Sequence, residues 1–351
     1  MLSEERRVLA PETRALAVDA GVTGLAFLNQ TMLAIACGDG GVRLVPPGGS
    51  PVLVQAHENG AAALSLAVDL DGASVVTGGD DGRLVRTSAD GVARALLEAP
   101  GRQIDAIAVN DAAGFRAVAA GKEIHLIDRH GVVLRSAPAH PSTVTGLAFS
   151  PKGRRLAASH YGGITLWWTG TLGEKPTRLA WRGSHIGISW SPDGSTVMTA
   201  MQEAALHGWR LADGQHVEMT GYAIKVRSMG WWAKPLILAT AGGDCVTAWR
   251  FGGGGPMGKP PLQIGWGIGR LVTAVAVHPR RPLVAAGYDD GQIAVCELFG
   301  ERVVRLGRGD QGRISNVAWS PDGARLASAT EAGAVSISDL TKGAAGPAAG
   351  R

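Results

Sequence analysis

Cysteine is scarce. The chain of 351 residues holds three, Cys37, Cys245 and Cys296, far apart and odd in number. That excludes a disulfide framework and fits a reducing compartment, so a cytoplasmic location is expected. Cys37 and Cys296 fall on apolar strand segments, whereas Cys245 falls in a turn and is the one candidate for an exposed thiol. Long apolar runs are missing as well. Nowhere do 18 consecutive apolar residues occur, and the charged start, residues 1–10, precedes no apolar segment of the kind that directs export. Neither a membrane partner nor a leader is expected.

An excess of one charge is absent too. Thirty-four Lys and Arg face 30 Asp and Glu, leaving a formal charge of +4. No five or six like charges run together, and basic pairs such as Arg154 with Arg155 or Arg280 with Arg281 read as solvated strand ends. Nucleic-acid binding, which needs a concentrated basic surface, is not expected.

Catalytic constellations are equally lacking. No Gly-x-Ser-x-Gly occurs, and the glycine-rich residues 251–258 lack the Lys-Ser/Thr that would make them a phosphate loop. The nine histidines show no metal-ligand spacing. The chain is therefore expected to be no enzyme, with no catalytic, cofactor-binding or metal residues and no cofactor.

Glycine and small apolar residues are what the chain has in quantity: 51 glycines, and 45% hydrophobic residues against 18% charged. They are organised as a repeat. Residues 144–168, VTGLAFSPKGRRLAASHYGGITLWW, contain three strand-sized apolar runs separated by Ser-Pro-Lys-Gly and Tyr-Gly-Gly turns. The unit recurs with first-strand anchors at Val22, Ala61, Ile104, Val144, His185, Val226, Val272 and Ile314, at steps of 39 to 46 residues. Such a period indicates a ring of sheets. The longest step reflects an inserted loop, residues 252–261.

A fourth apolar segment follows most units, for example at residues 52–56, 92–97 and 132–137. The last unit has none, because residues 341–351 are small and glycine-rich. Residues 14–19, RALAVD, stand at the offset of a missing outer strand. Pairing them to the last unit would remove an open sheet edge. The expected fold is all-β: a closed β-propeller of eight blades of four antiparallel strands, with seven blades as the alternative and an N-terminal strand completing the last. It is one domain, residues 1–340, followed by a flexible tail, 341–351.

These units resemble the WD-repeat family in a degenerate, stand-alone form of the kind found in bacteria. Ser150-Pro151-Lys152-Gly153, Ser191-Pro192-Asp193-Gly194 and Ser320-Pro321-Asp322-Gly323 match the family's first turn. Asp80-Asp81-Gly82 and Asp289-Asp290-Gly291 match its second, and Trp167, Trp209 and Trp249 its third-strand tryptophan. The family's polar cluster of His, Ser or Thr, Asp and Trp is complete in no unit. Unit four has His140, Ser159 and Trp167 but Tyr161 at the Asp position; unit two has His57, Thr77 and Asp81 without the Trp. The resemblance implies structural roles for His57 and His140, and a protein that acts by binding.

The remaining expectation is a scaffold, monomeric, that docks a protein or peptide partner. Loops entering the first strands and those joining second to third strands converge around the channel. The unusual residues there are Arg102, Gln103, His140, Tyr161, His185, Trp266, Arg270, Tyr288 and Arg313, and aromatic and arginine side chains dominate binding energy at interfaces. On the opposite face Trp168 and Trp232 form a rival patch. A channel binding a small ligand or metal is the alternative function.

Overall fold

A computed structural model of the chain describes residues 12–265, 268–306, 309 and 311–341. Strands dominate them, joined by tight turns, with one short 3-10 turn, Thr169–Thr171. Each repeat forms an antiparallel meander. In the first unit the strands are Val22–Leu28, Met32–Cys37, Gly41–Val45 and Val52–Gln55, each paired to the next.

The burial of each strand explains its composition. Second strands such as Met32–Cys37, Ser74–Gly79 and Thr196–Met201 are buried almost throughout, because a neighbouring sheet covers each face. They therefore read as continuous apolar or small-residue runs and do not alternate. Outer strands such as Val52–Gln55 and Val133–Ala137 stay largely exposed. All eight first-strand anchors are buried. Eight clusters of buried apolar side chains lie between successive units, the last uniting unit eight with unit one.

Tryptophans near the ends of first strands tie neighbours together. Trp190 Nε1 donates to the Ala148 carbonyl and Trp319 Nε1 to that of Ala276, both at 2.9 Å. Trp231 Nε1 donates to Ser189 Oγ at 3.1 Å. The Ser-Pro turns are closed by their serines: Ser191 Oγ accepts from the Thr196 amide at 2.9 Å and donates to Asp193, and Ser320 does the same with Arg325 and Asp322. The turn ends at Gly194 and Gly323, with φ of 72° and 74°, where a side chain would be strained.

Closure occurs as the chain's start suggests. Strand Glu12–Ala17 pairs antiparallel with Ala334–Asp339, from Glu12 against Asp339 to Ala17 against Ala334. It begins two residues before the segment expected from sequence. The expected tail lies, apart from Thr341, outside the described residues.

The number of sheets differs from the first expectation. Among the described residues there are seven hydrogen-bonded sheets, six of four strands and one of six, which is the count of the seven-blade alternative. Eight separate sheets is corrected because units four and five share one. Their joint sheet runs through two long strands, Arg155–Trp168 and Thr177–Trp190. Each folds back on itself. His160 Nε2 lies 2.9 Å from Thr165 Oγ1, although residues five apart on a straight strand are separated by roughly 16 Å. His185 Nε2 likewise meets the Trp181 carbonyl at 3.2 Å. The reversals use Gly162 and Gly163, with φ of 87° and 135°, and Gly183, with φ of 104°. Both units thus keep their own strands, while the pairing of Tyr161 with Ser184, after a register shift between Tyr161 and Gly163, links them across the boundary.

Candidate partner-binding surface

The start of each first strand pairs with the end of its second strand, as in Val22 with Cys37 and Ile314 with Thr330. The loops into first strands therefore share one rim with the second-to-third-strand hairpins. Five of the residues singled out in the sequence, Arg102, Gln103, Tyr161, Arg270 and Arg313, lie exposed or partly exposed there. Tyr161 is 66% exposed at its hairpin. Arg102, Arg270 and Arg313 are partly exposed, each tied to a neighbouring carboxylate: Glu123 at 2.7 Å, Asp290 at 3.1 Å and Glu331 at 3.2 Å. Trp266 lies outside the described residues.

Three others are buried and offer nothing to a partner. His140 Nδ1 donates to the Lys122 carbonyl at 2.8 Å, and its Nε2 accepts from Trp167 Nε1 at 3.1 Å. Both nitrogens are used within the unit, and burial holds the imidazole below its usual range. His185 donates through Nε2 to Trp181 and has Nδ1 2.7 Å from Thr199 Oγ1. Tyr288 ends the second strand Leu283–Tyr288, inside the ring wall, and its hydroxyl has no partner among the described residues. Assigning Tyr288 to the rim overlooked that second strands are covered on both faces.

The polar clusters are thus structural, and their membership varies. In unit two His57 meets Thr77 at 2.9 Å and Asp81 at 3.1 Å. In unit four Ser159 bonds to the first strand, at Gly146 and Thr145, and not to His140. In unit six the histidine's place is taken by Tyr222, whose hydroxyl accepts from Trp249 Nε1 at 2.8 Å and lies 2.9 Å from Thr240 Oγ1. Burial pushes that phenol up to about 12.

The rival tryptophans do not form a pair. Trp168 is half-exposed, with the Arg155 guanidinium 4.5 Å over its ring, beside a cleft of 210 Å³ between units four and five. Trp232 belongs to a different sheet, is half-buried, and donates to the Lys234 carbonyl at 2.7 Å. Cys245 is buried, and burial pushes its thiol up to about 11, so it is not the exposed thiol its turn suggested. Among the described residues no three side chains of metal-ligating type converge, and no helix is long and apolar enough to cross a membrane.

Sequence reasoning missed two cations. An opening of 450 Å³ is lined by Gln202 of unit five, Lys225 and Arg227 of unit six, and Arg313 and Glu331 of unit eight. Residues from units so far apart around the ring meet only across the channel mouth. Lys225 donates to Gln202 Oε1 at 3.3 Å, and among the described residues Arg227 has no carboxylate within ion-pair distance. The signal was present: both flank the anchor Val226, which fixes them at the rim.

Two segments match family models. Residues 131–167 match the WD domain, G-beta repeat, and residues 275–346 match the Anaphase-promoting complex subunit 4 WD40 domain. With the ring of antiparallel sheets, these matches, over less than a third of the chain, support a likeness to the WD-repeat propellers. It is 24% identical over 209 residues to the Intraflagellar transport protein 80 homolog of Mus musculus, covering 59% of this chain and 26% of that protein. It is 25% identical over 284 residues to Telomerase protein component 1 of Mus musculus, covering 74% and 10%. The chain thus spans a small part of either relative.

Among solved structures, the computationally designed Ika8 protein superposes with a TM-score of 0.74 at 20% identity, over 95% of this chain and 99% of that one. The C-terminal WD40 domain of Sif2 gives 0.73 at 14%, over 94% and 99%. A chain of the Mitotic Checkpoint Complex gives 0.62 at 15%, over 97% and 94%. These likenesses concern the fold.

Proposed function

We propose that the protein is a non-catalytic scaffold, monomeric and cytoplasmic, that seats a protein or peptide segment on the rim around the channel. Acidic side chains of the partner meet Lys225, Arg227 and Arg313. The observation supporting this is the channel mouth itself, where three cations from two units face one carboxylate, Glu331. Such an excess favours an acidic partner and steers its approach. Tyr161, 66% exposed, supplies an aromatic contact on the same rim. That relatives are named for a transport protein and a checkpoint complex agrees with a role in assemblies.

The volume of the mouth also suits a small anion in the channel, and one experiment separates the readings. Fluorescence anisotropy would follow a labelled glutamate-rich peptide and its glutamine counterpart. The scaffold reading expects the glutamate peptide to bind, and the variant Lys225→Ala/Arg227→Ala to lose about tenfold or more in affinity. Free glutamate competing as well as peptide would favour the small ligand. Equal binding of both peptides, or no loss in the variant, overturns the role of this rim.

A further inference from the structure

A cleft of 530 Å³ lies on the opposite face, between units two and three. Its wall breaks the repeat. In every unit one position of the second strand faces the preceding unit, opposite a residue near the end of the first strand. Leu33, Val75, Leu156, Val197, Leu238, Val284 and Leu326 hold it in seven units. In unit three the same register position, opposite Val109, is Arg116. The next departure is its partner. At the turn position held by Ser150, Ser191 and Ser320, unit two has Asp69, whose amide bonds to Ser74 as those serines' amides bond to the residue five along.

Arg116 and Asp69 are buried, at 3% and 4% exposure. Arg116 holds both carboxylate oxygens of Asp69, Nη2 to Oδ2 at 2.8 Å, and its Nη1 bonds to the Asp128 carbonyl. Arg86 adds a second guanidinium on Asp69 at 2.9 Å and reaches Asp71 as well. A buried ion pair often gives no more stability than well-packed aliphatic side chains such as the leucines and valines at this place in the other seven units, because desolvation offsets the attraction. The substitution of charge for an aliphatic side chain therefore calls for another reason.

We propose that this cleft binds a small organic oxyanion, a phosphate ester or carboxylate with an apolar body. The network of Arg86, Arg116, Asp69 and Asp71 is neutral as a whole and orients the wall. Above it Arg94 and Arg129 line the lip, opposed only by Asp111. Neither arginine has a carboxylate within ion-pair distance among the described residues. Two such unpaired guanidinium groups above a fixed wall match the fork of an oxyanion. Leu70 and Leu96 supply apolar wall for the body of the ligand. The cleft volume falls within the range of small-molecule sites. This site is independent of the channel mouth and stands or falls separately.

Calorimetric titration and thermal shift with phenyl phosphate, benzoate and phenol test it on the full chain. At least one anion is expected to bind and raise the Tm while phenol does not; the better of the two identifies the headgroup. Arg94→Gln/Arg129→Gln, at the lip and outside the buried network, is expected to keep the Tm of the free protein and lose about tenfold in affinity per arginine. Asp111→Asn, which removes the opposing charge, is expected to tighten binding. The proposal is overturned if neither anion binds, if phenol binds as well, or if binding survives in the double variant; should that variant not fold, unaltered affinity in Asp111→Asn and Arg129→Gln overturns it equally.

Discussion

The buried pair of Asp69 and Arg116 is where a single side chain departs furthest from its seven counterparts, and its energetics can be separated from its use. Replacing Arg116 by leucine leaves Asp69 desolvated with only Arg86 beside it, so Arg116→Leu is expected to destabilise by about 3 kcal/mol. Restoring the repeat at both positions, Asp69→Ser/Arg116→Leu, removes the charge and its partner together. That double variant is expected to match the parent or exceed it by about 1 kcal/mol. Urea unfolding of the two variants measures both numbers. A double variant as unstable as the single one would show that the pair holds units two and three together, and would remove the argument that it is retained for binding.

At the scale of strands, the seam and the reversals carry the fold. The strand Glu12–Ala17 is largely exposed and contributes little core, yet without it the edge Ala334–Asp339 would be left unpaired. Deleting residues 1–17 is expected to lower the Tm by about 5 °C or more, and an unchanged melt by circular dichroism would contradict closure as a source of stability. The reversal within the long strand Arg155–Trp168 depends on Gly163, where a Cβ would sit 2.3 Å from the Leu179 carbonyl oxygen. Gly163→Ala is expected to cost about 2 kcal/mol in denaturant unfolding, whereas Gly170→Ala, in open space, should cost little.

The seam was legible in the sequence because residues 14–19 stand at the offset at which outer strands precede the other units. The joint sheet of units four and five was not, since Tyr161-Gly162-Gly163 reads like any other hairpin and only the three-dimensional path brings Thr177–Trp190 along both units. For the surface, pattern alone distinguishes the two ends of a strand but not which side chains there turn inward. Tyr161 and Tyr288 hold related places at the rim in sequence, and one is exposed while the other is sealed inside the wall. Lys225 and Arg227 were legible from their place beside an anchor, and Arg116 from a charge where the period calls for an aliphatic residue.

For the whole ring, the buried titratable groups set a window of pH. His207 is fully buried between Trp181, stacked at 4.0 Å, and Trp209, at 4.3 Å, with neither ring nitrogen bonded among the described residues. Burial, with smaller repulsion from His185 and His216, pushes its pKa down to about 3. His140, His160, His185 and His278 are also held down by burial. The unfolded chain then binds protons that the folded ring does not. Stability is full above the ordinary imidazole value and falls as the pH drops from about 6.5 toward 3, with His207 alone removing about 3 kcal/mol by pH 4. At the alkaline end the sign reverses: Cys37 and Cys245, pushed up to about 11 by burial, keep protons that the unfolded chain releases above its ordinary thiol value of 9.0, so stability falls again from there toward 11. Urea unfolding across pH 4 to 10 should therefore trace a plateau between about pH 6.5 and 9 with a loss on each side. His207→Phe, which keeps an aromatic ring between the two tryptophans, should shallow the acidic limb while leaving the alkaline one in place. An acidic limb of unchanged depth in that variant would show that other groups, and not this imidazole, govern the acid response of the ring.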